Sequence, residues 1–149
     1  MLDCLSPRPL KRSVGSLLDF MRVEYFADGS EYCPLVLLYG PDPTDAVTLS
    51  ESLRTLSNSS ESRVAIQELP GFVSVDDCQL FASVARSDIG MKMIVPTTVF
   101  DCSLRADSWD NIIGLLEPYC HSETMSGTRF QYLQESGDIR LLISNERAW

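Results

Sequence analysis

The stretch Cys33-Pro-Leu-Val-Leu-Leu-Tyr39, broken by Gly40-Pro-Asp-Pro43 and continued as Thr44-Asp-Ala-Val-Thr-Leu-Ser-Glu-Ser-Leu-Arg-Thr-Leu56, decides the fold class. Its first seven residues are a near-continuous apolar run, the pattern of a strand buried on both faces. Pro34 is compatible with that only near the start of the strand or on an edge, because it donates no ladder hydrogen bond. The Gly-Pro-Asp-Pro break then starts a helix, with Asp42 suited to the N-cap and Pro43 to the first helical position. Ala46, Leu49, Leu53 and Leu56 recur at steps of three or four residues, which draws one apolar stripe through about Ser57. A helix with a single stripe must bury it on another element, and here that element is a sheet face.

Upstream, Met21–Phe26 reads as a strand closed by the turn dipeptide Asp28-Gly29, and it pairs with Cys33–Tyr39 as a hairpin. Residues 1–20 read as an N-terminal extension with a short helix over Val14–Phe20, leaving 21–149 as a single domain. Downstream, Arg63–Leu69 is predicted as a strand ended by Pro70-Gly71, followed by a loop with Asp76-Asp77 and a strand over Cys78–Arg86. After a turn at Asp88–Gly90, Met91–Val95 and Thr97–Arg105 form a hairpin around Pro96, with Phe100, Cys102 and Leu104 inward. A second helix from Asp107 to about Glu117 buries Trp109, Ile112, Ile113 and Leu116. Arg129–Glu135 and Ile139–Ser144, joined by Ser136-Gly137-Asp138, close the order as a hairpin. The expected fold is α+β: mostly antiparallel sheet, one or two in number, with two helices packed on a face. Regular βα alternation, which a doubly wound fold requires, is missing.

The two helices open with Asp42-Pro-Thr-Asp45 and Asp107-Ser-Trp-Asp110, and the strand after each begins with Arg63 and Arg129. These matched offsets suggest two tandem ββαββ units, with halves 21–77 and 78–149. Chance is the alternative, because aspartate caps are common and connection lengths fall in a narrow range.

Charge and cysteine content narrow the function. Of 149 residues, 21 are acidic and 12 basic, a net charge of −9. Residues 1–22 carry four basic against two acidic groups, a net +2; the remainder carries eight against nineteen, a net −11. Such a body repels phosphate backbones and anionic lipid, so neither nucleic acid nor membrane is expected as a partner. The five cysteines are odd in number and show no C-x-x-C spacing. The first residues lack an apolar signal core, so reduced thiols in the cytoplasm are expected. Cys78 and Cys102 alternate with apolar neighbours, as small buried hydrophobes do.

Catalytic equipment is sparse. The eight glycines stand isolated, with no phosphate-cradling loop. His121 is the only histidine, which excludes sites needing two imidazoles, and no metal or other cofactor is expected. Cys120 follows a helix C-terminus, where the dipole opposes a thiolate. No catalytic residue is therefore assigned, and the expectation is a non-enzymatic binding module whose acidic surface engages a basic protein. The candidate contacts are the acidic turn residues Asp28, Glu31, Asp42, Asp45, Asp76, Asp77, Glu135 and Asp138, with Trp149 as an aromatic anchor. In general character only, such a chain resembles bacterial immunity proteins that neutralise basic toxin enzymes, and no motif ties it to a family. The alternatives are a small orphan enzyme using clustered carboxylates and His121, and a homo-oligomeric module joined through exposed strand edges.

Overall fold

The computed structural model describes residues 20–40, 42–59, 63–94, 97–121, 129–135 and 137–149. The N-terminal extension before Phe20, with its expected helix, lies outside them. Nine strands and two α-helices follow in the order β1 (Met21–Phe26), β2 (Leu35–Tyr39), α1 (Pro43–Ser59), β3 (Arg63–Ala65), β4 (Phe72–Ser74), β5 (Gln79–Val84), β6 (Gly90–Ile94), β7 (Val99–Leu104), α2 (Ala106–Leu116), β8 (Phe130–Gln134) and β9 (Arg140–Ser144). The fold is α+β, with a five-stranded sheet ordered β4-β1-β2-β9-β8 and a four-stranded sheet ordered β3-β5-β7-β6.

Both sheets are mixed. The antiparallel pairs are β1-β2, β3-β5, β6-β7 and β8-β9. They are joined by parallel pairs β2-β9 and β5-β7, and β4 adds to β1 in parallel. Turn chemistry specifies a hairpin locally, but nothing local specifies which distant strand lies along its free edge; that choice belongs to the core. The connectivity does not confirm tandem ββαββ units. Residues 21–77 supply β1, β2 and β4 to one sheet and β3 to the other, and residues 78–149 likewise divide between both. The matched aspartates also diverge. Asp42 caps α1, its Oδ1 accepting from Thr44 N–H at 2.9 Å. Asp107 instead pairs with Arg105, the N-cap residue of α2, which makes no side-chain cap bond; Asp88 braces this end from outside, its Oδ1 accepting from Arg105 N–H and Ser108 Oγ–H, both at 2.8 Å.

One core joins the inner faces of both sheets with the two helix stripes. Val23, Val36, Leu38, Leu141 and Ile143 come from the larger sheet, Leu80, Ala82, Phe100, Cys102 and Leu104 from the smaller. Ala46, Leu49, Leu53 and Leu56 of α1 and Trp109, Ile112 and Leu116 of α2 fill the space between them. The sheets touch directly where Tyr25 of β1 meets Phe100 of β7, ring centroids 4.8 Å apart. Trp109 is fully buried and donates Nε1–H to the Ser83 carbonyl at 2.9 Å, tying α2 to β5. Ser57 Oγ–H reaches Asp110 across the helix pair at 2.7 Å.

The expected strand over Arg63–Leu69 shortens to Arg63–Ala65 and turns into a 3-10 segment, Ile66–Glu68. Gln67 explains the substitution, because its side-chain Oε1 accepts the Leu80 N–H at 2.7 Å and replaces a ladder bond. Residues 72–74, expected as loop, form β4. Gly40 is required by close approach: a Cβ there would lie 2.9 Å from the Phe20 carbonyl oxygen.

Candidate functional site

Parallel pairing of β2 with β9 decides where the acidic turns go. Leu35 lies opposite Arg140 and Tyr39 opposite Ser144, so the β1–β2 and β8–β9 turns leave the same end of the sheet. Asp28, Glu31, Glu135 and Asp138, all exposed, are thereby brought to one end. Arg140 stitches the two turns together, its N–H bonding the Pro34 carbonyl at 3.2 Å and its Nη1–H the Tyr32 carbonyl at 2.9 Å. Tyr32 meets Tyr132 there at 6.2 Å, and Phe130 meets Tyr132 at 6.1 Å from the far end of β8, opposite Ser144. Tyr32, which follows Glu31 in the turn, is 41% exposed. The Tyr132 phenol is pushed above its ordinary value, first by desolvation and then by Tyr32, Glu135 and Glu31, with Arg140 opposing. Both glutamates therefore project their field onto this aromatic edge.

The other candidates lie elsewhere. Asp42 is at the opposite end of β2, half-buried in its capping role. Asp45 is fully buried, since the helical phase places it beside Ala46 and Leu49, and it offers no surface to a partner. Asp76 and Asp77 are exposed in a turn that begins beside the middle of β1, both at positive φ (53° and 59°), a conformation that aspartate tolerates better than most residues. Trp149 docks on the domain itself, its ring 5.0 Å from Phe26 in an edge-on arrangement.

That docking reveals a feature the sequence reading missed. Along β1, Arg22, Glu24 and Phe26 alternate with the core residues Met21, Val23 and Tyr25, and they face outward. Register places Glu24 in a row with Leu37, Leu142 and Tyr132, and Phe26 in a row with Leu35 and Arg140. Leu35, Leu37, Tyr39 and Leu142 make a second small core on this outer face, packed by Phe26, Cys33, Tyr132 and Trp149. The segment Asn145–Trp149 crosses it. Arg147 grips Glu24 with two bonds, Nε–H to Oε1 at 3.0 Å and Nη2–H to Oε2 at 2.9 Å, while Tyr39 O–H donates to Oε1 at 2.7 Å. The same guanidinium lies over the Phe26 ring, 5.0 Å from its centroid. A cleft of about 400 Å³ opens alongside, lined by Phe20, Arg22, Tyr39, Gly40, Glu146 and Arg147. The only sequence signal was a charged pair, Arg22 and Glu24, alternating into an otherwise apolar strand; its partner stands 123 residues away.

Hydrogen bonding from Arg147 holds the Glu24 carboxyl below its ordinary value of 4.5, against the opposing effect of its burial; Tyr39 and Arg22 add to the lowering. A carboxylate with a depressed folded pKa contributes stability that is complete above the unfolded value and is lost as pH falls through the folded one. Glu24→Gln is expected to cost about 1–2 kcal/mol at pH 7, charge-assisted bonds being reduced by the solvent exposure of Arg147. Thermal melts of both proteins measured from pH 7 downward should show the gap closing as pH falls below 4.5.

Burial pushes the Cys78 and Cys102 thiols up to about 12, with Glu24 adding to the first and Asp88 and Asp101 to the second, which makes both poor nucleophiles. Cys120 is raised as well, chiefly by burial, and its Sγ contacts the Leu116 carbonyl at 3.5 Å. His121 pairs with Glu117 one turn back at 2.8 Å on an exposed surface. Among the described residues, no group of three or more His, Cys, Asp or Glu side chains is placed to hold a metal ion. No helix among them is long and apolar enough to cross a membrane. Comparison of the chain with protein-family models, curated proteins and solved structures finds no match.

Proposed function

We propose that this chain is a non-enzymatic protein-binding module, of inhibitor or immunity type, that engages a basic protein through the turn end of its five-stranded sheet. The observation that carries this reading is the convergence of Asp28, Glu31, Glu135 and Asp138 at one end of the sheet, around the exposed ring of Tyr32. Aromatic side chains supply contact area at low entropic cost, and their faces attract arginine and lysine. The acidic rim steers a basic partner toward them and raises its association rate. A reducing, cytoplasmic setting accompanies the proposal, supported by the free thiols of Cys33, Cys78, Cys102 and Cys120.

The test compares the intact chain with a variant carrying Asp28→Asn, Glu31→Gln, Glu135→Gln and Asp138→Asn, each immobilised and exposed to cell extract at low salt. A protein of net positive charge should be retained by the first and lost from the second. With that protein purified, its association rate should fall by about tenfold or more between roughly 20 and 300 mM salt. Equal retention by both chains, or an association rate indifferent to salt, would overturn the reading.

A further inference from the structure

The outer face of the five-stranded sheet already shows what it recognises, because the chain fills it with its own side chains. Glu24 takes a guanidinium through two charge-assisted bonds, the arrangement that selects arginine over lysine. Phe26 lies between that guanidinium and the indole of Trp149, with both centroid distances 5.0 Å. The indole N–H reaches Ser30 Oγ at 3.3 Å. Each acceptor belongs to β1 or to the turn after it, so the socket is built without Asn145–Trp149. Tyr39 O–H holds the Glu24 carboxylate in place independently of Arg147.

The segment is rooted at Asn145, whose N–H bonds the Arg129 carbonyl at 3.1 Å and whose Oδ1 accepts the Arg129 N–H at 2.9 Å; beyond that root, Arg147 and Trp149 reach the socket through their side chains. The Glu146 N–H bonds Ser144 Oγ and the Ala148 N–H bonds the Glu146 carbonyl, both local to the segment. The Arg147 side chain is 59% exposed although its carboxylate partner is only 10% exposed. The cleft lined by Arg22, Tyr39 and Arg147 lies on the Arg147 side of this pair and leaves its guanidinium open to solvent. Segments attached in this way open at low free-energy cost relative to the strands beneath them.

We infer that this face is an acceptor site for a partner-protein segment carrying arginine and, two residues later, an aromatic residue, and that Arg147 and Trp149 occupy it until such a segment displaces them. The site rests on the reading of the chain as a binding protein but not on the acidic side chains of the turns: Glu24 and Phe26 are distinct from them, and the β1–β2 turn contributes only the Ser30 hydroxyl. Tethering gives the resident segment an effective concentration on the order of millimolar, so an outside peptide competes only weakly until its own affinity or a second contact compensates.

The experiment uses the full chain with Arg147→Ala and Trp149→Ala and a fluorescein-labelled peptide, Ser-Asn-Glu-Arg-Ala-Trp, copied from residues 144–149. The double variant should bind the peptide saturably and at least about tenfold more tightly than the unaltered chain. Adding Glu24→Gln should weaken binding by about tenfold again, whereas adding the four turn substitutions should leave it unchanged. A double variant that binds no better than the unaltered chain, or binding indifferent to Glu24→Gln, would overturn the inference. Loss of binding with the turn substitutions alone would assign the peptide to the acidic end instead. Should the double variant not fold, a Trp109→Phe chain reports on Trp149 by itself. Titration with the tryptophan-free peptide Ser-Asn-Glu-Arg-Ala-Phe into the millimolar range should shift its emission to the red, and no shift would overturn the proposal. Sedimentation of the unaltered chain as a dimer whose dissociation accompanies that shift would overturn it in favour of a second copy as the occupant.

Discussion

Replacing Trp109 by alanine is expected to remove about 3–5 kcal/mol of stability, roughly a fifth or more of what a domain of this size usually has. The side chain is fully buried in the main core, where α2 meets β5 of the smaller sheet. The loss has two parts that a second variant separates. Trp109→Phe keeps most of the apolar contact but removes the Nε1–H bond to the Ser83 carbonyl, and it should cost about 1–2 kcal/mol. Urea titrations followed by far-UV circular dichroism measure both. The midpoint should fall in the order native, phenylalanine, alanine with the slope unchanged. An alanine variant within about 1 kcal/mol of the native chain would mean that α2 does not pack as described.

Phe100→Ala should be comparably damaging, at about 3–5 kcal/mol, for a different reason. Phe100 is fully buried on the central strand β7, and its ring meets Tyr25 where the two sheets touch without a helix between them. Its loss opens a cavity at the seam between sheets, not beneath a helix. Phe100→Leu, which refills part of that space, should recover about half of the loss. Combining Phe100→Ala with Tyr25→Ala should cost less than the sum of the two single losses, since each removes the other's contact partner. Strict additivity in that double-mutant cycle would place the rings out of contact.

The local grammar of the chain was legible from its residues. Asp42 and Pro43 start α1 as cap and first turn, the stripe from Ala46 to Leu56 is buried, and the β8–β9 hairpin closes where Gly137 sits at positive φ. Trp109 lies in the core as the apolar face of α2 indicated, and Cys78 and Cys102 as their alternation with apolar neighbours indicated. What stayed hidden depends on pairing between residues far apart. No turn or period in Phe72–Ser74 indicates that it borders β1, because three residues carry too little alternation to register as a strand. The parallel seams leave no local trace either, since a strand flanked by hairpin partners reads the same whichever distant neighbour it receives. For the same reason four acidic turns could be named, but not that two of them share one end of the sheet. That grouping follows from the register of β2 against β9. The Glu24–Arg147 grip was invisible because its two members look, in sequence, like ordinary solvated charges.

The same seam has a consequence for how the chain is made. Strand β2 receives its second neighbour, β9, only after residues 40–139 have been synthesised. At about 5–20 residues per second, that interval is roughly 5–20 s, far longer than a hairpin needs to form. Throughout it, Leu35, Leu37 and Leu38 stand on a strand with one open edge, a template for pairing with any other nascent chain. The order in which residues leave the ribosome thus sets a window of vulnerability that the finished sheet conceals. Slowing translation downstream of α1 should widen that window and raise the insoluble fraction without altering a single native contact.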